Sequence, residues 1–563
     1  MGRSSVMSGS LLEENNYSSS TGGGGGHQGS LGGGIISTST TDQQHETEHR
    51  NIHPNSSPSS FPFTLGGGAG EGDKGMVIDT VAAAITEVVE LLRTDEPLWT
   101  RTQGEGRLVI HRERYDKVFP KGNYLKSSAA RTESSKDSGV VAATPVQLIE
   151  MCLDPSKWMD FFPMMVPKAR IIEVLDSGML GGSLQSMYEK MHILSPMVAP
   201  RDFIFLRYCG QVETNAWLMV DVSYDCFKDQ LDTSAPSNSW RLPSGCLIQD
   251  LLNGTSKVTW VEHVQVDDKK QTHRLYRDLI CGSQAYGAKR WIVTLQRMCE
   301  RFGFFLALRS IPDEVINAPE GRRNMMNLSQ RMVKGFCEIL SMSDRVDFPH
   351  VTHMINNGGV RISLRRSNGS GQPGGLVVCA ATSLWLPLPS EQLFNFFMDE
   401  KLRGEWDALS GGNPVTEIAA ISTGSYPENR VSIIQPLGRR ESNIVMVQES
   451  SINSLEAYVM YATMKLRDIS SAINGDDPVK FPIFPSGFVI SGDGRREKTS
   501  SSSGSSSKAR AQCGSLLTVV IQSMMSNSSF SKEDSMECMA SVHALISTTI
   551  QKIKAALDCS ELD

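Results

Sequence analysis

The chain has 563 residues, 39% apolar and 21% charged, with a formal net charge of −7 at pH 7. This length suits two to four domains, since a domain usually holds roughly 100 to 200 residues. The mild acidity argues against a protein that meets DNA or RNA mainly through its own charge, because phosphate binding requires a concentrated Lys/Arg surface. No apolar run approaches the roughly 18 residues that a spanning helix requires, so we expect no membrane span.

The residue types that carry chemistry form no recognisable catalytic or metal-binding pattern. The 11 cysteines are scattered, without a C-x-x-C pair or a Cys/His group of ligand spacing, which argues against a zinc site. The G-x-S-x-G, H-E-x-x-H and Walker-type motifs do not occur. Residues 369–374 match G-x-G-x-x-G, but an apolar strand follows them where a dinucleotide site needs a helix. We therefore predict no catalytic residues, no metal site and no enzymatic cofactor.

Composition divides the chain into two ordered blocks. Residues 1–75 are rich in Gly, Ser, Thr and Asn, with too little apolar surface to offset the entropy cost of ordering, and we expect a disordered tail. The blocks span 76–305 and 321–563, with a linker at 306–320. A Ser- and Gly-rich insert at 492–511 predicts a disordered surface loop within the second block.

The first block predicts two helices, several strands and a long closing helix. Apolar residues between Val77 and Leu92 recur at helical spacing and predict an opening helix. Thr144 is a good N-cap and precedes a proline, which predicts a second helix. Runs bounded by Gly, Asn, Asp or Pro then predict antiparallel strands. These runs are Ala169–Leu175, Ser183–Ile193, Phe203–Val212, Trp217–Ser223, Ser244–Asp250 and Lys257–Val266. A helix from about Tyr276 to Phe302 closes the block.

The second block repeats this order. Its segment Pro389–Met398 can be aligned with Pro145–Leu153 so that the apolar positions coincide, and a tryptophan follows each segment, at Trp158 and Trp406. Strand-like runs and a closing amphipathic helix come next. Such repetition predicts an α+β protein with two helix-grip domains, each a curved antiparallel sheet around a long C-terminal helix.

A curved sheet around a helix encloses a space where small ligands commonly bind. Eight methionines lie between Met151 and Met197, and thioether side chains adapt to flexible apolar ligands. The alternative is that these methionines simply pack a core, which is the more common role for any one of them.

Charged residues in two strands allow two interpretations each. Arg201 and Asp202 are either a polar anchor for a ligand or a local ion pair that fixes a turn, and the ion pair is favoured. In the predicted strand Lys257–Val266, alternation places Trp260 and Glu262 on one face and His263 on the other. If the Trp260 face points inward, Glu262 requires a partner such as an arginine or a ligand hydroxyl. Otherwise His263 is the buried residue.

Three stretches of the first block resemble one family. They are MYEKMHILSPMVAPRDFIFLRYC (187–209), SWRLPSGCLIQDLLNGTSKVTWVEHVQVDD (239–268) and AYGAKRWIVTLQRMCERF (285–302). They are similar to the START domain of plant class IV homeodomain-leucine zipper transcription factors. In the second block, SLWLPLPSEQLFNFFMDEKLRGEWDALSGGNPVTEIAAI (383–421) resembles the START-adjacent region of those proteins.

The resemblance implies a helix-grip START fold with a lipid or sterol cavity, nuclear action and control of epidermal gene expression. Family members carry a homeodomain and a zipper before START, whereas residues 1–75 contain neither a basic recognition helix nor heptads, so we expect no direct DNA binding by this chain. The resemblance thus implies a non-enzymatic, lipid- or sterol-binding transcriptional regulator, in the nucleus and secondarily in the cytoplasm. The expected partners are the lipid or sterol and transcriptional proteins, including full-length family members.

The alternative is a transcriptional cofactor or protein-interaction module, with a vestigial START cavity that its own side chains fill. For the ligand-binding hypothesis, the candidate cavity residues lie on the START strands and the closing helix, with Arg201 and Glu262 as polar anchors. The full set is Met187, Met191, Arg201, Phe203, Phe205, Trp217, Trp260, Glu262, Trp291 and Leu295.

Overall fold

The fold is known from a computed structural model, which describes residues 71–560 apart from several gaps. The gaps are 103–105, 121–126, 128, 179–181, 225–237, 269–271, 283, 308–315, 317, 342–358, 368–374, 408–411, 438–442, 496–513 and 526–531. Most of the expected tail, linker and surface loop therefore lies outside the described residues.

The first half of the described chain forms a ten-stranded antiparallel sheet. Its strands are β1 (Trp99–Arg101), β2 (Leu108–Ile110), β3 (Arg131–Val141), β4 (Lys168–Asp176), β5 (Ser183–Met191), β6 (Arg201–Glu213), β7 (Ala216–Ser223), β8 (Ser239–Arg241), β9 (Ser244–Asp250) and β10 (Ser256–Val266). Their order is β1-β2-β3-β10-β9-β7-β6-β5-β4, with β8 paired to β10. The helices are α1 (Glu71–Arg93), α2 (Arg112–Val118), α3 (Pro145–Leu153), α4 (Pro155–Phe161), α5 (Arg277–Cys281) and α6 (Ala288–Ala307).

The second half forms an eight-stranded antiparallel sheet. Its strands are β11 (Arg361–Ser367), β12 (Gly375–Leu386), β13 (Val415–Ser422), β14 (Arg430–Pro436), β15 (Ile444–Ile452), β16 (Glu456–Lys465), β17 (Ser486–Gly492) and β18 (Ser515–Met525), in the order β11-β12-β18-β17-β16-β15-β14-β13. The helices are α7 (Pro319–Leu340), α8 (Ser390–Met398), α9 (Arg403–Trp406), α10 (Leu466–Ile473) and α11 (Lys532–Ala556).

The two sheets share the order of seven strands. Strands β3-β10-β9-β7-β6-β5-β4 correspond one by one to β12-β18-β17-β16-β15-β14-β13. The short helices also correspond, because Asp154 and Asp399 each accept two backbone N–H bonds where the next helical turn begins. Trp158 and Trp406 are fully buried at equivalent places. The prediction of two helix-grip domains in an α+β chain is confirmed.

Each domain has an inner core between sheet and closing helix and an outer core on the opposite sheet face. In the first domain the inner core packs against α6 and the outer core lies under α1. In the second domain the inner core packs against α11 and the outer core lies under α7. The outer helix of each domain therefore belongs to the repeated design.

Three local features differ from the sequence predictions. The helix expected from Tyr276 to Phe302 is broken, because α5 ends at Cys281, where the Gly282 N–H bonds to the Asp278 carbonyl, and α6 begins only at Ala288. The polar strand β3 was not predicted, since it lacks apolar alternation and is held by pairing along its whole length with β10. Part of the expected linker is helical, because α7 begins at Pro319, a favoured first helical residue.

A Ser-Gly pair begins the equivalent strands β9 and β17. The Ser244 and Ser486 hydroxyls each accept a backbone N–H from the last strand of their sheet, at 2.9 and 3.1 Å. A Cβ on Gly245 would lie 2.0 Å from the Met219 carbonyl oxygen, and one on Gly487 would lie 2.3 Å from that of Val459. Only glycine fits these two close approaches of backbone to backbone.

We expect Gly245→Ala and Gly487→Ala each to lower the free energy of unfolding by about 1–3 kcal/mol, the usual cost of overpacking. Urea unfolding of the full chain measures the loss. Gly303→Ala in α6 is the control, because open space surrounds that Cβ and alanine favours a helix by about 1 kcal/mol. Equal stability of the Gly245→Ala variant and the unmodified chain would contradict the prediction.

Candidate functional site

Aromatic rings fill the centre of the START-side inner core. Trp260 on β10 stacks on Trp291 of α6, with ring centroids 4.8 Å apart and planes 8° from parallel. Trp158 of α4 lies 5.4 Å from Trp291, and Phe162 lies 4.8 Å from it edge-on. All four side chains are buried. Strand alternation and the two helices thus bring distant tryptophans into one cluster.

A buried cluster of five charged side chains lies beside these rings. Arg207 donates to both Asp221 carboxylate oxygens, at 2.8 and 2.7 Å. Arg241 donates to Asp221 at 2.9 Å and to Glu189 at 3.0 Å. The Arg241 Nη2 atom also lies 3.9 Å from a Glu262 oxygen. We call these residues the charge cluster. Because each side chain is at most 4% exposed, their charges depend on one another rather than on water.

The charge cluster has two arginines and three carboxylates. Burial raises the pKa of Glu262 to about 7, with Arg241 opposing the shift and Glu189 adding to it. Glu262 is therefore protonated in a large fraction of molecules near neutral pH. In that form it can donate a hydrogen bond as well as accept one.

Two buried N–H groups, one in the charge cluster and one among the aromatic rings, have no hydrogen-bond partner among the described residues. They are Nε of Arg241 and Nε1 of Trp291. Buried polar groups are normally hydrogen-bonded, so these two donors are candidates for contact with a ligand or water oxygen.

The structure places the ten predicted site residues on the inner face of the START-side sheet or on α6. Trp217 is partly buried against this core. The other apolar members belong to the buried core itself, namely Met187, Met191, Phe203, Phe205, Trp260, Trp291 and Leu295. Because the Trp260 face points inward, Glu262 does so too, and its partners are Arg241 and the Trp260 indole N–H at 3.3 Å. His263 is buried as well, but on the outer face.

Arg201 lies at the end of this core and is fully engaged. Its guanidinium binds Glu133 at 2.9 and 2.8 Å and Asp268 at 3.0 and 2.8 Å. It also lies over the Tyr286 ring, 3.8 Å from the centroid. Arg201 is therefore an ion-paired residue, but its partners are Glu133 and Asp268, so the predicted local ion pair with Asp202 is wrong. Asp202 faces the other way and accepts a hydrogen bond from Tyr188 at 2.6 Å.

Sequence reasoning missed four members of the charge cluster. Arg207, Asp221 and Glu189 each lie at an inward-facing strand position two residues from a buried apolar side chain, and Arg241 lies on the short strand β8. Strand alternation contained a signal for Arg207, because it lies at every second position after Phe203 and Phe205 and so faces the same buried side of the sheet.

A cleft of about 1180 Å³ lies between the two domains rather than inside either core. From the START side, Tyr276, Leu279, Ala285 and Arg290 line it. The second domain contributes Thr518 and the stretch from Ile452 to Ala457, among other residues. Tyr276 and Ala285 also belong to the START-side inner core, so the cleft and that core share a wall.

Acid should destabilise the fold partly through His263. Burial lowers the pKa of His263 to about 3, whereas an unfolded histidine titrates near pH 6.5. The histidine's contribution to stability is therefore complete above pH 6.5 and is lost progressively as pH falls towards 3. Between pH 6 and 4, we expect the free energy of unfolding of His263→Gln to fall less steeply than that of the unmodified chain. The two slopes should differ by about 1.4 kcal/mol per pH unit. Urea unfolding at several pH values measures the slope. The control is His111→Gln, and an unchanged slope in His263→Gln would contradict the prediction.

Two features are absent from the part of the chain that the structure describes. Within it, no group of three or more His, Cys, Asp or Glu side chains is placed to hold a metal ion. None of its helices is both long enough and apolar enough to cross a membrane.

Comparison with known families and proteins gives a consistent result. The START domain profile matches residues 80–301, and the profile of the PDF2-like C-terminal domain matches residues 318–559. Homeobox-leucine zipper protein HDG11 of Arabidopsis thaliana is 42% identical over 494 residues, which cover 86% of this chain and 67% of that protein. Homeobox-leucine zipper protein ROC8 of Oryza sativa subsp. japonica is 38% identical over 522 residues, which cover 89% and 73%.

Among solved structures, human StAR-related lipid transfer protein 5 is similar at 14% identity and a TM-score of 0.28, over 41% of this chain and 99% of that one. The sequence relatives confirm the resemblance of the first block to START and of the second to its neighbouring region. The chain therefore belongs to the plant class IV homeodomain-leucine zipper family.

Proposed function

We propose that the START domain of this chain binds a lipid or sterol, and that the bound molecule regulates transcription through the chain's protein partners. The observation that carries the proposal is a pair of unpaired buried donors, Arg241 Nε in the charge cluster and Trp291 Nε1 among the aromatic rings. A START domain core that is apolar except for a few convergent polar groups suits a ligand with a large apolar body and one polar end.

The charge cluster favours a ligand with a hydroxyl or carbonyl oxygen at its polar end. Arg241 Nε offers a donor to such an oxygen. Glu262, with a pKa raised to about 7 by burial, accepts from a hydroxyl when ionised and donates to an oxygen when protonated. Sterols and glycerolipids both provide these groups. The apolar body would replace the contacts between Trp260 and Trp291, which are the stacked rings at the centre of the core.

Regulation requires no chemistry from the protein. A ligand that binds only the folded state stabilises it by RT ln(1 + [L]/Kd), about 2.7 kcal/mol at a hundredfold excess over Kd. We propose that the chain is non-enzymatic, acts in the nucleus as its family membership suggests, and contacts transcriptional partners including full-length family members.

A second function is favoured by the packing of the same core. The stacked and edge-on contacts among Trp158, Phe162, Trp260 and Trp291 occupy the space between sheet and α6. Aromatic packing of this quality stabilises a core in its own right. On this alternative the chain is a protein-interaction module with a vestigial cavity.

Lipid titration of a cavity-filling variant separates the two functions. Leu295→Trp enlarges a buried side chain of α6 that faces the core, and Val140→Trp enlarges an exposed one as a control. With ligand binding, a panel of sterols and phospholipids raises the melting temperature of the full chain and of Val140→Trp but not of Leu295→Trp. Leu295→Trp should also lose transcriptional regulation. If no lipid shifts any melting temperature and Leu295→Trp regulates normally, the interaction module is the correct function.

A further inference from the structure

Helix α6 is shared between the two domains. Trp291, Leu295 and Cys299 face the START-side inner core. Arg290, Arg297 and Arg301, spaced seven and four residues apart, lie on a different side, and all three contact the second domain. The helix that closes the first core is thus also part of the interface.

The second domain holds α6 by buried, charge-assisted contacts. Arg297 donates to the Ser451 hydroxyl at 2.8 Å and to the carbonyl and hydroxyl of Thr423 at 2.7 Å each. Arg301 binds both oxygens of Glu449, at 2.9 and 3.0 Å, and Glu449 is fully buried. Two-point contacts of this kind fix orientation as well as position, so α6 is a fixed wall of the START-side core.

The wall just before α6 meets the second domain through a hydrogen bond of Tyr276 and through an exposed ion pair of 3.4 Å between Asp278 and Arg495. We define the gate as Tyr276, α5 and Ala285. The Tyr276 hydroxyl shares a hydrogen bond of 3.1 Å with the Thr518 hydroxyl of β18. Thr518 in turn shares one of 2.8 Å with Ser383, which shares one of 2.9 Å with Ser195. This latch consists of neutral hydroxyl contacts, each individually weaker than the arginine contacts of α6.

The gate separates the interdomain cleft from the START-side core. Tyr276 and Ala285 are members of that core, and Leu279 of α5 packs against it. The same three residues line the cleft of about 1180 Å³. One layer of side chains therefore stands between a cleft that is large enough for a lipid chain and the core that contains Trp291.

We infer that the interdomain cleft is the entry route for the START ligand, and that the second domain controls entry through the latch between Thr518 and Tyr276. The inference rests on the proposed lipid-binding function. Because buried arginine contacts fix α6, whereas the gate meets the second domain through neutral hydroxyls and an exposed ion pair, the gate is the part of this wall that moves. The second domain then sets how fast a lipid enters and leaves, although it also places Leu516 and Trp385 against the START-side core.

Tyr276→Phe tests the latch, because it removes the hydroxyl and keeps the ring in the core. Tyr188→Phe is the matched control, since it removes a tyrosine hydrogen bond, to Asp202, on the outer sheet face. The probe is a fluorescent phosphatidylcholine delivered to the full chain from neutral phosphatidylcholine vesicles. In Tyr276→Phe we expect uptake and release both to be about fivefold faster, the factor that one hydrogen bond of typical strength supplies, with Kd changed less than twofold. Tyr188→Phe should match the unmodified chain.

Hydrogen exchange of the α5 amides provides a readout that needs no lipid. Tyr276→Phe should raise their exchange about fivefold and leave the α6 amides unchanged. Unchanged α5 exchange would overturn the inference whether or not a lipid binds. Faster α5 exchange with unchanged lipid rates would also overturn it, because the gate would open without being the route. Failure of the unmodified chain and of all variants to take up the probe, or any lipid of the panel, would instead refute the proposed function, and the gating role would fall with it.

Discussion

Replacing Arg241 by methionine should lower the free energy of unfolding by about 3–5 kcal/mol, because it leaves the buried Glu189 and Glu262 without their nearest arginine. Glu189 loses its 3.0 Å contact and Glu262 loses the guanidinium that opposes its raised pKa. Urea unfolding followed by tryptophan fluorescence measures the loss. Arg323→Met is the control, since Arg323 forms an exposed ion pair with Glu320, and such pairs contribute about 0–1 kcal/mol. A loss below about 1 kcal/mol for Arg241→Met would contradict the geometry of the charge cluster.

Arg301→Met should have an effect of similar size, about 3–5 kcal/mol, at the interface between the domains. Burial alone would raise the pKa of Glu449, but the Arg301 charge and the hydrogen bonds from Arg301 and Ser329 hold it below its usual value. A lowered carboxyl pKa contributes stability that is present above about pH 4.5 and is lost as pH falls further. The loss of unfolding free energy caused by Arg301→Met should therefore be largest above pH 4.5 and smaller below it.

A second substitution distinguishes loss of the ion pair from loss of packing. In Arg301→Met combined with Glu449→Gln, the uncompensated buried charge is gone, and we expect more than half of the lost stability to return. Urea unfolding at pH 7 and pH 4 measures both variants. If the double variant is as unstable as Arg301→Met, the cost comes from packing, and Glu449 is not the residue that Arg301 neutralises.

The repeated design could be predicted from the sequence because its signals are local. Thr144 with Pro145, the alternating strands and the paired tryptophans at Trp158 and Trp406 each depend on a few neighbouring residues. The strand β3 escaped prediction because its polar residues have no pattern of their own and take their conformation from pairing with β10. The break before α6 escaped because the apolar spacing continues across Gly282.

The apolar part of the candidate site was predicted and its polar part largely was not. Trp260, Trp291 and Leu295 followed from alternation and helical spacing, and all three lie in the core. Arg201 was singled out because it precedes an apolar strand, but Glu133 and Asp268 occupy its guanidinium. The charge cluster brings together β5, β6, β7, β8 and β10, so no single stretch of sequence shows that its charges balance.

The interface between the domains had no sequence signal, since Arg290, Arg297 and Arg301 have the spacing of an exposed helix face. In the structure all three are buried against the second domain. This arrangement makes the START domain and its neighbour one mechanical unit, with α6 common to both. A ligand that repacks the Trp291 side of α6 would act on a helix whose other side the second domain grips.

Native mass spectrometry of the full chain, purified from a eukaryotic host, tests the central claim most directly. The protein should carry one lipid or sterol per chain, which denaturing extraction releases and identifies, and which raises the melting temperature when it is added back. A Leu295→Trp variant prepared in the same way should be empty. A folded chain that carries no lipid, and whose melting temperature no member of the lipid panel changes, would contradict the claim and leave the interaction module as its function.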